Sequence, residues 1–195
     1  RQQLVPRVAE FLGANPEVRL ELDLSDRLSS LAMEGLDLAI RHTATPPDTH
    51  VAWTLCTTRS VLVASRAYLR RRGTPTRPED LTAHDCLHYA RAYVTPAWHF
   101  HEKRNPGAFR RTTVPVSGCF AANNSEALRE AAIAGLGIAL MPDFSAQAAI
   151  QSGKLVEVLT EWQPVGAFGE SLFAVRPYAS QVPLAVSAFV DWVRG

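Results

Sequence analysis

Apolar residues along this chain change their spacing repeatedly, and each change marks an element. Leu4, Val8, Phe11 and Leu12 recur at i, i+4, i+7 and i+8, the stripe of an amphipathic helix. Pro6 is tolerated in the first turn, and Asn15-Pro16 ends the helix. The period then drops to two. Val18, Leu20, Leu22 and Leu24 alternate with Arg19, Glu21 and Asp23, which predicts a strand with one wetter face, as at a sheet edge. Ser25-Asp26 ends that strand and caps a short helix through Leu28, Leu31 and Ala32, closed by Gly35. Asp37 to Arg41 predicts a short buried strand. A polar loop, HTATPPDTH, leads to two more strands, VAWTL and SVLVAS.

Ser65 starts a helix through Tyr68 and Leu69 that ends at Gly73. PTRPEDL is a proline-punctuated turn with a short helical start, LHY and AWHF are weakly strand-like, and residues 101–112 are polar, basic and loop-like. TVPVS and the segment near Phe120 return to strand character. The clearest unit is NNSEALREAAIAGLGIALMP. Asn123 or Asn124 caps a helix, Glu126 complements its positive end, and Leu128, Ala131, Ala132 and Gly135 share a face. The helix ends near Gly135-Gly137, and a strand over Ile138 to Met141 stops at Pro142. GKLVEVL is a strand after a short helix, SLFAVRP is another strand, and VPLAVSAFVDWVRG is a terminal amphipathic helix. This alternation predicts an α/β fold with mainly parallel sheets. Neither an internal repeat nor a low-complexity linker interrupts it, so two lobes would be connected by more than one passage of the chain.

Composition narrows the class. A length of 195 residues predicts one to two domains, large enough to bury about 70% of the unfolded surface without a metal or disulfide staple. With a net charge of +1, no global basic field argues for a nucleic-acid partner. No apolar run approaches about 18 residues, so no membrane span is expected. The N-terminus lacks the apolar core of a signal peptide and an initiator Met, which points to a fragment or processed chain. Cys56, Cys86 and Cys119 are odd in number and far apart, which suits free thiols in a reducing cytoplasm.

An ordered series of motifs then resembles the effector-binding region of LysR-type transcriptional regulators. It comprises L-x-P-R-V-A-E-F-L at the start, N-P-E-V-R-L-E-L-D-L-S-D-R, and L-x-x-E-G-L-D-L-A-I-R over Leu31 to Arg41. It continues with L-V-A-S-R-A-Y-L over Leu62 to Leu69, G-T-P-T-R-P-E-D-L-T-A-H-D-C-L, and N-N-S-E-A-L-R-E-A-A-I-A-G-L-G-I-A-L-M-P. The resemblance implies an α/β fold of the type 2 periplasmic-binding-protein kind: two Rossmann-like subdomains joined by two crossover strands, with an effector cleft between them. It assigns residues 1–64 plus 169–195 to the first subdomain and 65–168 to the second. The family's N-terminal winged helix-turn-helix is absent from this chain, as are the first strand and loop of the effector region. DNA would therefore be bound only through the missing domain.

Several chemistries are weighed against plainer roles. His84-x-Cys86-x-His88, with His99-x-His101, does not match common zinc spacings, so no metal is assigned. There is no G-x-S-x-G elbow and no H-E-x-x-H, so no catalytic residues are assigned. Gly135-x-Gly137 closes a helix rather than opening one after a strand, and no cofactor is expected. Arg70-Arg71-Arg72 reads as a solvated helix end whose cations complement the dipole, and Trp98 and Phe144 as core residues. The candidate effector contacts are Ser25, Asp26, Arg41, Ser65, Asn123, Asn124 and Ser125, polar groups at strand ends and helix starts where α/β sheets gather ligands. Asn124 and Ser65 also read as plain caps, and Arg41 as a partner of Asp26. Together they favour a small carboxylate. The resemblance also implies a head-to-tail dimer within a tetramer of the intact protein. Its face would join Leu4, Val8, Phe11 and Leu12 of the first helix to Leu128 and Ala131 of the helix after Asn124. The function expected is effector sensing by a cytoplasmic regulator rather than enzymatic; the alternative is a solute-binding protein of a transporter with the same fold.

Overall fold

In the computed structural model, residues 4–24, 35–90, 95–103, 111–179 and 181–195 are described. The chain divides into unit 1, residues 1–57 with 169–195, and unit 2, residues 58–168. It leaves unit 1 after Thr57 and returns at Gly169.

Unit 1 opens with a 3-10 turn, Val5–Arg7, and helix α1 (Val8–Ala14). Its sheet holds β1 (Ala39–Thr43), β2 (His50–Thr57) and β11 (Ser171–Pro177), in the order β1-β11-β2 with both pairings antiparallel. Helix α5 (Leu184–Arg194) closes the chain. Phe11 of α1 packs edge-on against Phe189 of α5 at 5.1 Å between ring centroids and beside Trp192 at 5.2 Å.

Unit 2 has a five-stranded sheet in the order β7-β4-β8-β3-β9. Its strands are β3 (Ser60–Ala64), β4 (Cys86–Tyr89), β7 (Ala121–Ala122), β8 (Ile138–Pro142) and β9 (Val156–Val158). A second sheet pairs β5 (Ala97–Glu102) with β6 (Thr112–Pro115) and β10 (Trp162–Val165). Helix α2 (Arg66–Arg72) follows β3, α3 (Ser125–Ile133) follows β7, and α4 (Asp143–Gln151) follows β8. The period-2 rule distributes the core. Val61, Val63, Ala139 and Met141 join the apolar cluster that includes Leu128, Ala131 and Ala146 of the helices. Leu62, Ala64, Ile138 and Leu140 join the other, with Trp98 and Phe100. Helix α3 stops where Gly135 adopts φ +80. There Leu136 N–H bonds the Ala131 carbonyl and Gly135 N–H the Ala132 carbonyl, the paired bonds of a Schellman cap.

The structure differs from the expected pattern at four points. Val18 to Leu24 form no strand despite their alternation: no described strand offers them a ladder. The sheets are not mainly parallel; among the described ladders, only those of β4 with β7 and with β8 are. In unit 1, β2 carries the chain out and β11 brings it back, and that return forces antiparallel pairing. The boundary expected at residue 64 moves to 57, because Ser60 to Ala64 pair with β8 and β9 inside unit 2. Strand β10 was not anticipated, since WQPV shows no alternation that separates it from loop.

Candidate functional site

Strand direction decides which candidate residues can meet. In unit 2, β7, β4 and β8 run parallel to one another, while β3 runs antiparallel to β8. The C-terminal ends of β7, β4 and β8 therefore share a sheet edge with the start of β3, where the chain enters the unit. Ligands of α/β sheets gather beyond strand C-termini, which makes this edge the candidate site of unit 2.

Helix α3 begins there. The Asn124 side-chain oxygen accepts the N–H groups of Glu126 and Ala127 at 2.9 and 3.1 Å, an N-cap. Asn123 and Asn124 are exposed, and Ser125 is half-buried. The Ser145 hydroxyl of α4 donates to the Ser125 hydroxyl at 3.0 Å, tying the two helix starts together. Asp143 N–H donates to the Arg59 carbonyl at 2.9 Å and so joins α4 to the chain entering β3. Tyr89, at the end of β4, meets Phe168 edge-on at 5.0 Å and adds an aromatic surface. The sequence reading missed Ser145, Tyr89 and Phe168, because nothing in their local pattern distinguishes them.

Ser65 does not reach this edge. It ends β3, which runs the other way, so it lies at the opposite edge beside the C-terminal end of α3. A Cβ on Gly135 would approach the Ser65 hydroxyl oxygen to 3.3 Å. The nine residues of α3 span about 14 Å, which separates Ser65 from Asn124. Ser65 is buried, and its hydroxyl accepts the Tyr68 N–H at 3.3 Å. It is a helix cap.

In unit 1, β1 and β2 both run antiparallel to β11. Arg41 is half-buried at the middle of β1, opposite Phe173. At the return point a Cβ on Gly169 would lie 2.3 Å from the Thr43 carbonyl carbon, so glycine is required there. Ser25 and Asp26, and with them the Asp26–Arg41 pairing, lie outside the described residues.

Three residues expected on a dimer face are occupied within the chain. Phe11 is 1% exposed in the aromatic cluster of unit 1, and Leu128 and Ala131 are buried in unit 2. Leu4, Val8 and Leu12 are half-buried.

The histidines and the buried thiol find internal partners. His84 is buried, and its Nδ1 lies 3.2 Å from the Tyr68 hydroxyl, which itself accepts the Asp85 N–H at 2.9 Å. Burial pulls the His84 pKa down, and nearby Arg72 acts in the same direction. His88 Nδ1 lies 3.1 Å from the Cys86 carbonyl, and His99 Nδ1 lies 2.9 Å from the Thr113 hydroxyl. Burial, aided by Asp85, pushes the Cys86 thiol up to about 12, so it is neither nucleophile nor ligand at neutral pH. Among the described residues no group of three His, Cys, Asp or Glu is placed to hold a metal ion. Two arginines of the basic run are anchored at their tips: Arg71 donates to the Gly135 carbonyl at 2.9 Å and Arg72 to the Ala83 carbonyl at 2.8 Å. No described helix is long and apolar enough to cross a membrane.

Comparison with known proteins matches this architecture. The family model described as the LysR substrate binding domain matches residues 1–195. The probable HTH-type transcriptional regulator LtrA of Klebsiella pneumoniae is 32% identical over 188 residues, covering 96% of this chain and 59% of that protein. The uncharacterized HTH-type transcriptional regulator YhjC of Escherichia coli K12 is 34% identical over 198 residues, covering 98% and 62%. This chain thus spans less than two thirds of the length of either relative. Among solved structures, the full-length virulence activator AphB of Vibrio cholerae superposes with a TM-score of 0.82 at 26% identity, covering 100% of this chain and 64% of that one. The regulatory domain of CrgA from Neisseria meningitidis gives 0.81 at 29% identity, covering 98% and 90%. The fold of these regulatory domains is the type 2 periplasmic-binding-protein-like fold.

Proposed function

The chain belongs to the LysR substrate-binding domain family, and we propose that it is the effector-sensing part of a cytoplasmic, DNA-binding transcriptional regulator. It acts by binding rather than by catalysis. The ligand is a small carboxylate. Its candidate contacts in unit 2 are Asn123, Asn124 and Ser125; Arg41, Ser25 and Asp26 are the candidates in the other part of the chain. The observation that carries this reading is the gathering of the α3 and α4 starts at the sheet edge where the chain enters unit 2. Two α/β units with two chain passages between them suit a ligand-driven change of arrangement. The ligand produces that change only by binding one arrangement better than another. DNA is contacted through a domain outside this chain. Two copies associate through the first helical segment, with the half-buried Leu4, Val8 and Leu12 as the apolar contacts, and with α3 of the second copy. Sedimentation of the chain at high concentration tests this pairing, and a strict monomer would remove it.

A thermal-shift screen against small carboxylates, amino acids and aromatic acids tests the sensing role. A ligand at about 100 times its Kd stabilises the fold by roughly 2.7 kcal/mol. Calorimetry with the acid so identified then tests Arg41. Arg41→Ala weakens binding by about 1–3 kcal/mol when a charge-assisted bond is lost; unchanged affinity removes Arg41 from the site.

A further inference from the structure

On the β3–β9 side of the five-stranded sheet of unit 2, a cavity of about 230 Å³ opens beside the β9–β10 turn. The cavity runs from β3 to β9, three to four strand spacings of about 4.8 Å from β7, or about 14–19 Å. Its floor is apolar: Val61, Leu62, Val158, Leu159 and Pro164 are all buried. Its rim carries Arg59, Lys103 and Glu157. The Arg59 guanidinium holds both Glu157 carboxylate oxygens, at 3.0 and 2.7 Å, and its Nε lies 4.0 Å from Asp143 Oδ2, so two carboxylates face this one cation. The Lys103 ammonium donates to the Thr160 carbonyl at 2.7 Å. An ammonium carries three donors, so two N–H groups of Lys103 are left over from that bond.

The backbone adds a second, independent sign. Leu159 lines the cavity with φ +53, and among the described residues it is the one non-glycine residue in the left-handed region. A branched apolar side chain avoids that conformation, and strain of this kind collects at ligand clamps and switch segments. The turn is held by the bond from Trp162 N–H to the Leu159 carbonyl at 2.9 Å and that from Lys103 N–H to the Glu161 carbonyl at 3.0 Å.

We propose that this cavity is a second small-molecule site, contained in unit 2 and selective for a short, branched organic acid. The carboxylate meets the Lys103 ammonium, and the apolar tail lies on Leu159 and Pro164. The volume is below the roughly 300–1,000 Å³ of drug-sized sites, which restricts the ligand to a small metabolite.

Titration of isovalerate into the ¹⁵N-labelled chain tests the proposal. Saturable shifts at the amides of residues 159–163 are expected, with a Kd on the order of 1 mM. Lys103→Gln weakens that binding about tenfold by removing the charge-assisted bond, while Arg41→Ala leaves it unchanged. Isopentanol, which has the tail without the charge, produces no saturable shift there. Non-saturating shifts, equal binding of inorganic phosphate, or dependence on Arg41 rather than Lys103 would each overturn the assignment.

Discussion

The two units use their apolar residues differently. In unit 2 every residue of β8 is buried, because apolar clusters cover both faces of the sheet. Unit 1 buries far less among its described residues: Phe11, Ala174 and Val175, with Val186, Phe189 and Val190 of α5. Its most regular period-2 stretch, Val18 to Leu24, has no ladder and leaves Leu24 at 59% exposure. The contrast separates two requirements that sequence periodicity merges. Alternation supplies two faces, but a strand exists only where a neighbour can take its N–H and C=O groups.

The sharpest test of the contrast is to empty each core. Phe100→Ala, in the fully enclosed cluster of unit 2, costs about 3–5 kcal/mol by chemical denaturation. Phe11→Ala removes the centre of the aromatic cluster of unit 1. It abolishes hydrogen-exchange protection in α1 and α5 while α3 and β8 stay protected. Loss of protection in both units at once would show that the cores are not separate.

Crowding gives the next effect. A Cβ on Gly137 would lie 2.2 Å from the Asp85 carbonyl oxygen, where β4 and β8 meet. Gly137→Ala costs about 1–3 kcal/mol by denaturant titration, and a neutral result would show that this approach relaxes easily.

A smaller effect follows pH. The folded chain resists protonation of His84, whereas the unfolded chain accepts a proton near the ordinary value of 6.5. Stability is therefore fully present above that value and falls as the pH drops below it toward the depressed folded pKa. Denaturation at pH 7.5 and 5.5 measures the loss, and His84→Gln reduces it. An unchanged pH dependence in that variant would assign the loss to other groups.

The smallest effect is expected outside the ladders. Leu24→Ser changes stability by less than about 0.5 kcal/mol, as for a surface position. A cost above about 1 kcal/mol would show that Val18 to Leu24 pack in solution.

Elements that stabilise themselves locally were the most legible. The Asn124 cap, the Gly135 stop and the strand after it need only near neighbours in sequence, and all three stand in the structure. Strand β10 and the direction of the sheets were hidden, because both depend on partners far away in the chain. The candidate site was legible in part. Asn123, Asn124 and Ser125 could be chosen as a helix start, and Ser65 was chosen on the same argument. Nothing local reveals that β3 and β7 run in opposite directions.

By itself the sequence determined which segments would be helix or core and, through its ordered motifs, the family. Those properties rest on side-chain period, caps and turns, which act over a few residues. Tertiary structure decided which polar groups share an edge, which apolar residues are taken up inside the chain, and which alternating segment goes without a ladder. These outcomes depend on strand direction and on the supply of neighbours, and both are settled only when distant segments pair.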